Sequence, residues 1–225
     1  MKKLPQHKTW RNERLPDDHP ELSIKVYLGS GPIYHQIQNY INIDIQPYLG
    51  CIVWDFTRGL PFIENDSVDL VLSKLSFEFM PRDKVVPVLN EIHRILKPGG
   101  LFRFIGYDLE VYCRNLAFGK YSDNHEYFLR QIYGRQNFDE HGNKIEGTFR
   151  YTCYSFQILG YLLAKTGFVK IHKVFDPLKT KAKDKMVVQA NKRNSAQDPV
   201  WLTTDGIPKD MLELKRKYRY HKGIK

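Results

Sequence analysis

Three short runs of this chain place small residues and acids where they could hold a nucleoside. Gly29-Ser30-Gly31 follows the apolar run Ile24–Leu28, and Asp44 closes the next apolar run, which starts at Ile41. A strand that stops at small residues lets a ligand approach the backbone closely. An acid at the end of the following strand can accept hydrogen bonds from two ribose hydroxyls. A third run, Ile52-Val53-Trp54-Asp55, ends in another acid. The third glycine of a phosphate-cradling GxGxxG is absent, because Pro32-Ile33-Tyr34 follow Gly31. That argues against a dinucleotide and leaves an adenosine-type ligand open.

The elements that must position these residues alternate between strand and helix patterns. Asn65-Asp66-Ser67 is a turn cluster ahead of the β-type run Val68–Leu72. From Lys84 to Leu96 the apolar residues Val85, Val88, Leu89, Ile92 and Leu96 share one helical face. Lys97-Pro98-Gly99-Gly100 reads as the helix terminus, and Leu101–Ile105 resumes as a strand. Ser155–Lys165 predicts a helix capped at Ser155, followed by strands over Val169–Phe175 and Met186–Ala190. Such alternation implies an α/β fold with a parallel sheet, which binds ligands at the carboxyl ends of its strands.

With these runs in order, the span from about Ile24 to Ala190 resembles the class I S-adenosylmethionine-dependent methyltransferases, and among them the small type 11-like group associated with sugars and polysaccharides. The residues that carry the resemblance are Leu28-Gly29-Ser30-Gly31, Ile41-Asn42-Ile43-Asp44-Ile45, Trp54-Asp55, Leu60-Pro61-Phe62, Asp69-Leu70-Val71 and Leu96-Lys97-Pro98-Gly99-Gly100. The resemblance implies a Rossmann-like, seven-stranded, mostly parallel sheet with helices on both faces and one antiparallel edge strand. It implies S-adenosylmethionine as cofactor, with Gly29 and Gly31 along its methionine and sugar portion, flanked by Leu28 and Ser30. Asp44, beside Ile45, would take the ribose hydroxyls. Asp55, beside Phe56, would sit by the adenine amino group, although an Asp ahead of Thr57-Arg58-Gly59 is also ordinary turn chemistry. Ser73 would lie in the strand-end loop beneath the methyl group.

The chain departs from its relatives where many carry a His-x-x-Glu-His run, since Leu75, Glu78 and Phe79 occupy those positions and only the glutamate remains. A hydroxyl acceptor still needs its proton removed, which suits His or Asp near neutral pH. The candidates are Asp108, just past the fifth strand, and His141 and His125 in the polar, aromatic segment 112–154, which would cover the site and recognise the acceptor. Neither an Asp/Asn-Pro-Pro-aromatic tetrad nor a Pro-Cys pair is present, against base-amine and C5-pyrimidine methylation. Clustered metal-binding acids are also missing. What remains is metal-free transfer to a hydroxyl, ahead of a carboxyl or a nitrogen, and the resemblance to sugar- and polysaccharide-associated relatives implies a sugar or glycan hydroxyl.

Composition fits one domain, over 23–192, between an N-terminal arm (1–22) and a basic C-terminal tail (193–225). The arm lacks the apolar centre of a signal peptide, and no run is long enough to span a bilayer, so cytoplasm is the expectation. Three scattered cysteines, Cys51, Cys113 and Cys153, suggest neither a disulfide framework nor a zinc site. Lys plus Arg, 35, minus Asp plus Glu, 25, gives +10. Residues 209–225 hold seven Lys or Arg and two acids, 7 − 2 = +5, half of that excess. With Tyr218 and Tyr220 interleaved, this tail could bind a phosphate backbone, which keeps an RNA-directed methyltransferase as an alternative beside a solvated terminus or a contact with an anionic membrane. A module that keeps the fold without the chemistry is the other alternative.

Overall fold

The computed structural model describes residues 24–121, 123–145, 147–174 and 184–195. The expectations for the N-terminal arm and for the basic tail beyond residue 195 fall outside these residues. Seven strands form one sheet: β1 (Lys25–Leu28), β2 (Ile41–Asp44), β3 (Ile52–Val53), β4 (Val68–Lys74), β5 (Leu96–Tyr107), β6 (Phe168–Val174) and β7 (Lys185–Lys192). Their order is β3-β2-β1-β4-β5-β7-β6. The pairs within β3-β2-β1-β4-β5 are parallel, and β7 runs antiparallel to both β5 and β6. This is the expected Rossmann-like, mostly parallel sheet. Its single reversed strand lies in the terminal pair.

Helices α1 (Arg82–Ile95), α2 (Leu109–Ala117), α3 (His125–Tyr133) and α4 (Phe156–Lys165) complete the described secondary structure, apart from two 3₁₀ turns. The α1 stripe Val85, Val88, Leu89, Ile92 and Ile95 buries against the sheet beside Phe156, Leu159 and Leu163 of α4. Alternation along β1 sends Val26 and Leu28 to this core, while Tyr27 joins Leu70, Leu72 and Ile105 on the opposite face. Each fully buried aliphatic side chain contributes roughly 1.5–3 kcal/mol. Ser155 caps α4 as expected, its Oγ accepting from the Ile158 N–H at 3.2 Å.

The helix-terminator run behaves differently from its sequence reading. Strand β5 starts at Leu96, not Leu101, because Leu96 already pairs with Val68, and the register then shifts before Leu70 meets Leu101. Gly99 takes φ +80°, and a Cβ on Gly100 would lie 2.8 Å from the Lys97 carbonyl oxygen. The two glycines therefore carry a bulge inside the strand.

Between β3 and β4 the Leu60-Pro61-Phe62 loop is held by α1. Glu91 Oε1 accepts the Leu60 N–H at 2.6 Å, and the Arg94 guanidinium binds both Glu91 oxygens and the carbonyls of Leu60 and Ile63. The hydrogen bonds from Arg94 hold the Glu91 carboxyl below its ordinary range. A depressed folded-state pKa gives stability that is present above the ordinary value of 4.5 and lost as pH falls through the folded value. Glu91→Gln should therefore be less stable than wild type at neutral pH, with the gap narrowing in acid. Urea denaturation across that range checks this, and a gap that stays constant would contradict it.

Candidate active site

The carboxyl end of β1 turns on Gly29 and Gly31, both with positive φ (+67° and +70°). The N–H groups of Gly29 and Ser30 donate to the Ile43 carbonyl at 2.8 and 3.1 Å, tying the turn to β2. Asp44 then closes it: Oδ2 accepts the Gly31 N–H at 2.8 Å, and Oδ1 accepts the Gln46 N–H at 2.9 Å. Asp44 is 8% exposed, so its carboxylate is fixed and nearly buried beside the strand ends. Each oxygen keeps a further lone pair, which suits it to accept from hydroxyls. Ser30 is buried, and its Oγ has no hydrogen-bond partner.

Opposite, the end of β4 approaches β1 closely. A Cβ on Gly29 would lie 2.2 Å from the Ser76 Cβ. Ser76 Oγ contacts Ser73 Oγ at 2.8 Å and donates to the Leu28 carbonyl at 3.1 Å. Between the two serines, Leu75 takes φ +55°, an unfavourable conformation for a branched side chain, with its N–H held by the Ile105 carbonyl at 2.8 Å. Ser73 is thus brought to the site, and Ser76 joins it.

The remaining cofactor candidates divide. Asp55 caps the short turn Phe56–Arg58, with Oδ1 accepting from the Thr57 N–H (3.0 Å) and hydroxyl (2.7 Å) and Arg58 3.5 Å from Oδ2. The turn chemistry weighed for it is what the structure shows. Phe56 is buried, whereas Ile45 is exposed. A residue not singled out from the sequence, His35, stands against Gly31, its Nδ1 3.2 Å from where a Cβ there would be. Burial, then the nearby Lys74 charge, lowers its pKa and favours the neutral imidazole. Its place four residues past Gly31, in a connection of turns, was the signal available.

At the end of β5, Asp108 was expected to accept a proton. Instead it is buried and bonded on both oxygens: Oδ1 accepts the Glu110 N–H at 3.0 Å as the cap of α2, and Oδ2 pairs with Lys173 at 2.5 Å. Asp108 thus acts as a helix cap and an ion-pair partner. His125 opens α3 and is exposed. His141 lies in a solvent-facing turn, 3.5 Å from Glu140. No hydrogen bond or ring contact brings either histidine to Ser73 or Tyr107.

Glu78, the one survivor of the relatives' motif, is fully buried at this edge. Its Oε1 accepts the Tyr107 N–H at 3.2 Å, its carbonyl accepts from Tyr151 at 2.7 Å, and its Oε2 has no partner. Burial pushes its carboxyl up, against the opposing pull of its own and the Tyr107 N–H groups and of Arg150 and Lys185. Arg150 lies over the Tyr107 ring at 4.4 Å and faces Phe79 at 5.6 Å.

A family model described as a methyltransferase domain matches residues 34–104, starting just past the glycine turn and reaching β5. No curated protein matches the sequence. The chain is similar in fold to a protein in complex with the Trm112 methyltransferase activator of Haloferax volcanii (19% identity, 82% of this chain and 87% of the other, TM-score 0.52). It is also similar to S-adenosylmethionine-dependent methyltransferases from Methanosarcina mazei (14% identity, 78% and 94%, TM-score 0.52) and Archaeoglobus fulgidus (11% identity, 76% and 87%, TM-score 0.51). The fold is that of class I methyltransferases, and the domain match on this fold supports S-adenosylmethionine as the cofactor.

The strand-end residues fit that cofactor. A side-chain-free Gly29, an anchored Asp44 carboxylate and a buried Ser30 hydroxyl supply space and polar partners for a nucleoside. Asp44→Ala removes the acceptor of two backbone N–H groups, and with it the acceptor expected for the ribose hydroxyls. We expect it to weaken S-adenosylhomocysteine binding at least roughly ten-fold and to lower stability by about 1–3 kcal/mol. Calorimetry and denaturation check the two effects, and unchanged affinity would exclude Asp44 from the cofactor site.

Proposed function

We propose that this protein is a metal-free, S-adenosylmethionine-dependent methyltransferase acting on a hydroxyl of a sugar or glycan. The observation that carries the methyltransferase reading is the glycine turn locked onto Asp44 and facing Ser73 and Ser76 at the strand ends. The sugar acceptor rests on the resemblance carried by the Ile41–Ile45 and Leu60–Phe62 motifs, and on the polar, aromatic cover after β5. Among the described residues, no three His, Cys, Asp or Glu side chains gather to hold a metal ion.

The cofactor supplies an electrophilic methyl group; the chain supplies position. Asp44 and the glycine turn would hold the nucleoside, and Ser73 and Ser76 would shape the floor beneath the transferred group. Tyr107, at the end of β5, would face the acceptor. In the transfer the acceptor oxygen would gain the methyl as the methyl's bond to sulfur breaks, and the hydroxyl proton would leave to a base. Aligning the two reactants supplies most of the acceleration for such a transfer. Asp108 is committed to Lys173, so the proposed proton acceptors are His141 and His125, exposed on the cover, which would have to come to the strand ends as the acceptor binds.

Incubation with methyl-labelled cofactor and a panel of glycans should give alkali-stable methyl ether, unaffected by a chelator. His141→Ala and His125→Ala should lower turnover more than cofactor affinity. Label found in RNA and not in any glycan would favour the RNA-directed alternative. Cofactor affinity with no transfer to any acceptor class would favour the non-catalytic module.

A further inference from the structure

At the acceptor edge one charged side chain is fixed in place yet has unused donors. Arg150 Nη1 donates to the Gln131 carbonyl and, at 3.5 Å, to the Arg130 carbonyl, while its backbone N–H donates to Tyr133 at 3.0 Å. These contacts pin it to the carboxyl end of α3. The rings of Tyr107 and Phe79 hold the guanidinium from the β4 and β5 side. Nε is buried without a partner, and among the described residues both hydrogen bonds of the guanidinium come from Nη1 and none from Nη2. Nε and Nη2 form the edge of a guanidinium that matches two oxygens of a carboxylate or phosphate.

The neighbouring acid does not close that edge. Glu78 spends Oε1 on the Tyr107 N–H, forms no ion pair with Arg150, and is pushed toward its neutral form by burial. The edge thus combines a held guanidinium with the aromatic walls of Tyr107 and Phe79, on a chain of net charge +10 that attracts anions.

We propose that Arg150 recognises an oxyanion carried by the acceptor, so that the methylated sugar bears a carboxylate or a phosphate. This rests on the methyltransferase reading above. With the protein saturated by S-adenosylhomocysteine, calorimetric titrations with glucuronate, inorganic phosphate and glucose test it. Glucuronate or phosphate should bind and glucose should not, and the stronger of the two anions identifies the group. Arg150→Gln should weaken anion binding roughly ten-fold or more. Arg150→Lys should fall between, because it keeps the charge without the fork.

The melting temperature and S-adenosylhomocysteine affinity of each variant report whether it folds. If Arg150→Gln does not fold, Arg150→Lys carries the comparison. Binding of glucose as tight as that of the anions, undiminished anion binding in the folded variants, or no anion binding at millimolar ligand would overturn the proposal. Wild-type protein that fails to bind S-adenosylhomocysteine would instead overturn the methyltransferase reading.

Discussion

The site depends on how closely the ends of β1 and β4 approach each other. At Gly29 there is no room for a Cβ, because the Ser76 Cβ occupies that space. Ser76 exploits the approach by bonding the Leu28 carbonyl and the Ser73 hydroxyl, so the two strand ends are joined through one side chain. The chain accommodates this with a left-handed residue at Leu75, held by the β5 carbonyl of Ile105. Strain of this kind costs on the order of 1–3 kcal/mol and persists only where the surroundings over-determine it. Here three adjacent strands, β1, β4 and β5, do so.

Around this junction the acids are largely committed to structure. Asp55 and Asp108 cap turns or helices, and Asp108 also neutralises Lys173. Asp44 orders the glycine turn through two backbone N–H groups. Its remaining lone pairs make it the acid best placed to receive a nucleoside's hydroxyls. A site built this way is suited to holding reactants in register, and methyl transfer from a sulfonium needs alignment more than strong acid–base assistance.

The sequence made the sheet legible because its strands are short apolar runs separated by turn clusters, and because α1 and α4 keep their apolar faces in period. It misplaced the start of β5, since Lys97-Pro98-Gly99-Gly100 reads equally as a helix terminus or as a glycine bulge, and only pairing with Val68 decides. The strand-end positions were legible for a similar reason: Gly29, Gly31, Asp44 and Ser73 all stand where periodicity ends or nearly ends a strand. Asp108 was correctly placed in the fold, but its neighbour Lys173 lies 65 residues away in sequence, so its engagement could not be read. The same holds for Glu78 and Arg150, whose partners come from β5 and α3. His125 and His141 stand in a segment whose course no local pattern fixes.

The central claim is that Asp44 and the glycine turn hold the cofactor's nucleoside. A crystal structure of the complex with S-adenosylhomocysteine tests it most directly. The account predicts both ribose hydroxyls within hydrogen-bonding distance of the Asp44 carboxylate, with the sulfur near Ser73. A ribose bound away from Asp44, with the carboxylate touching only Gly31 and Gln46, would contradict it.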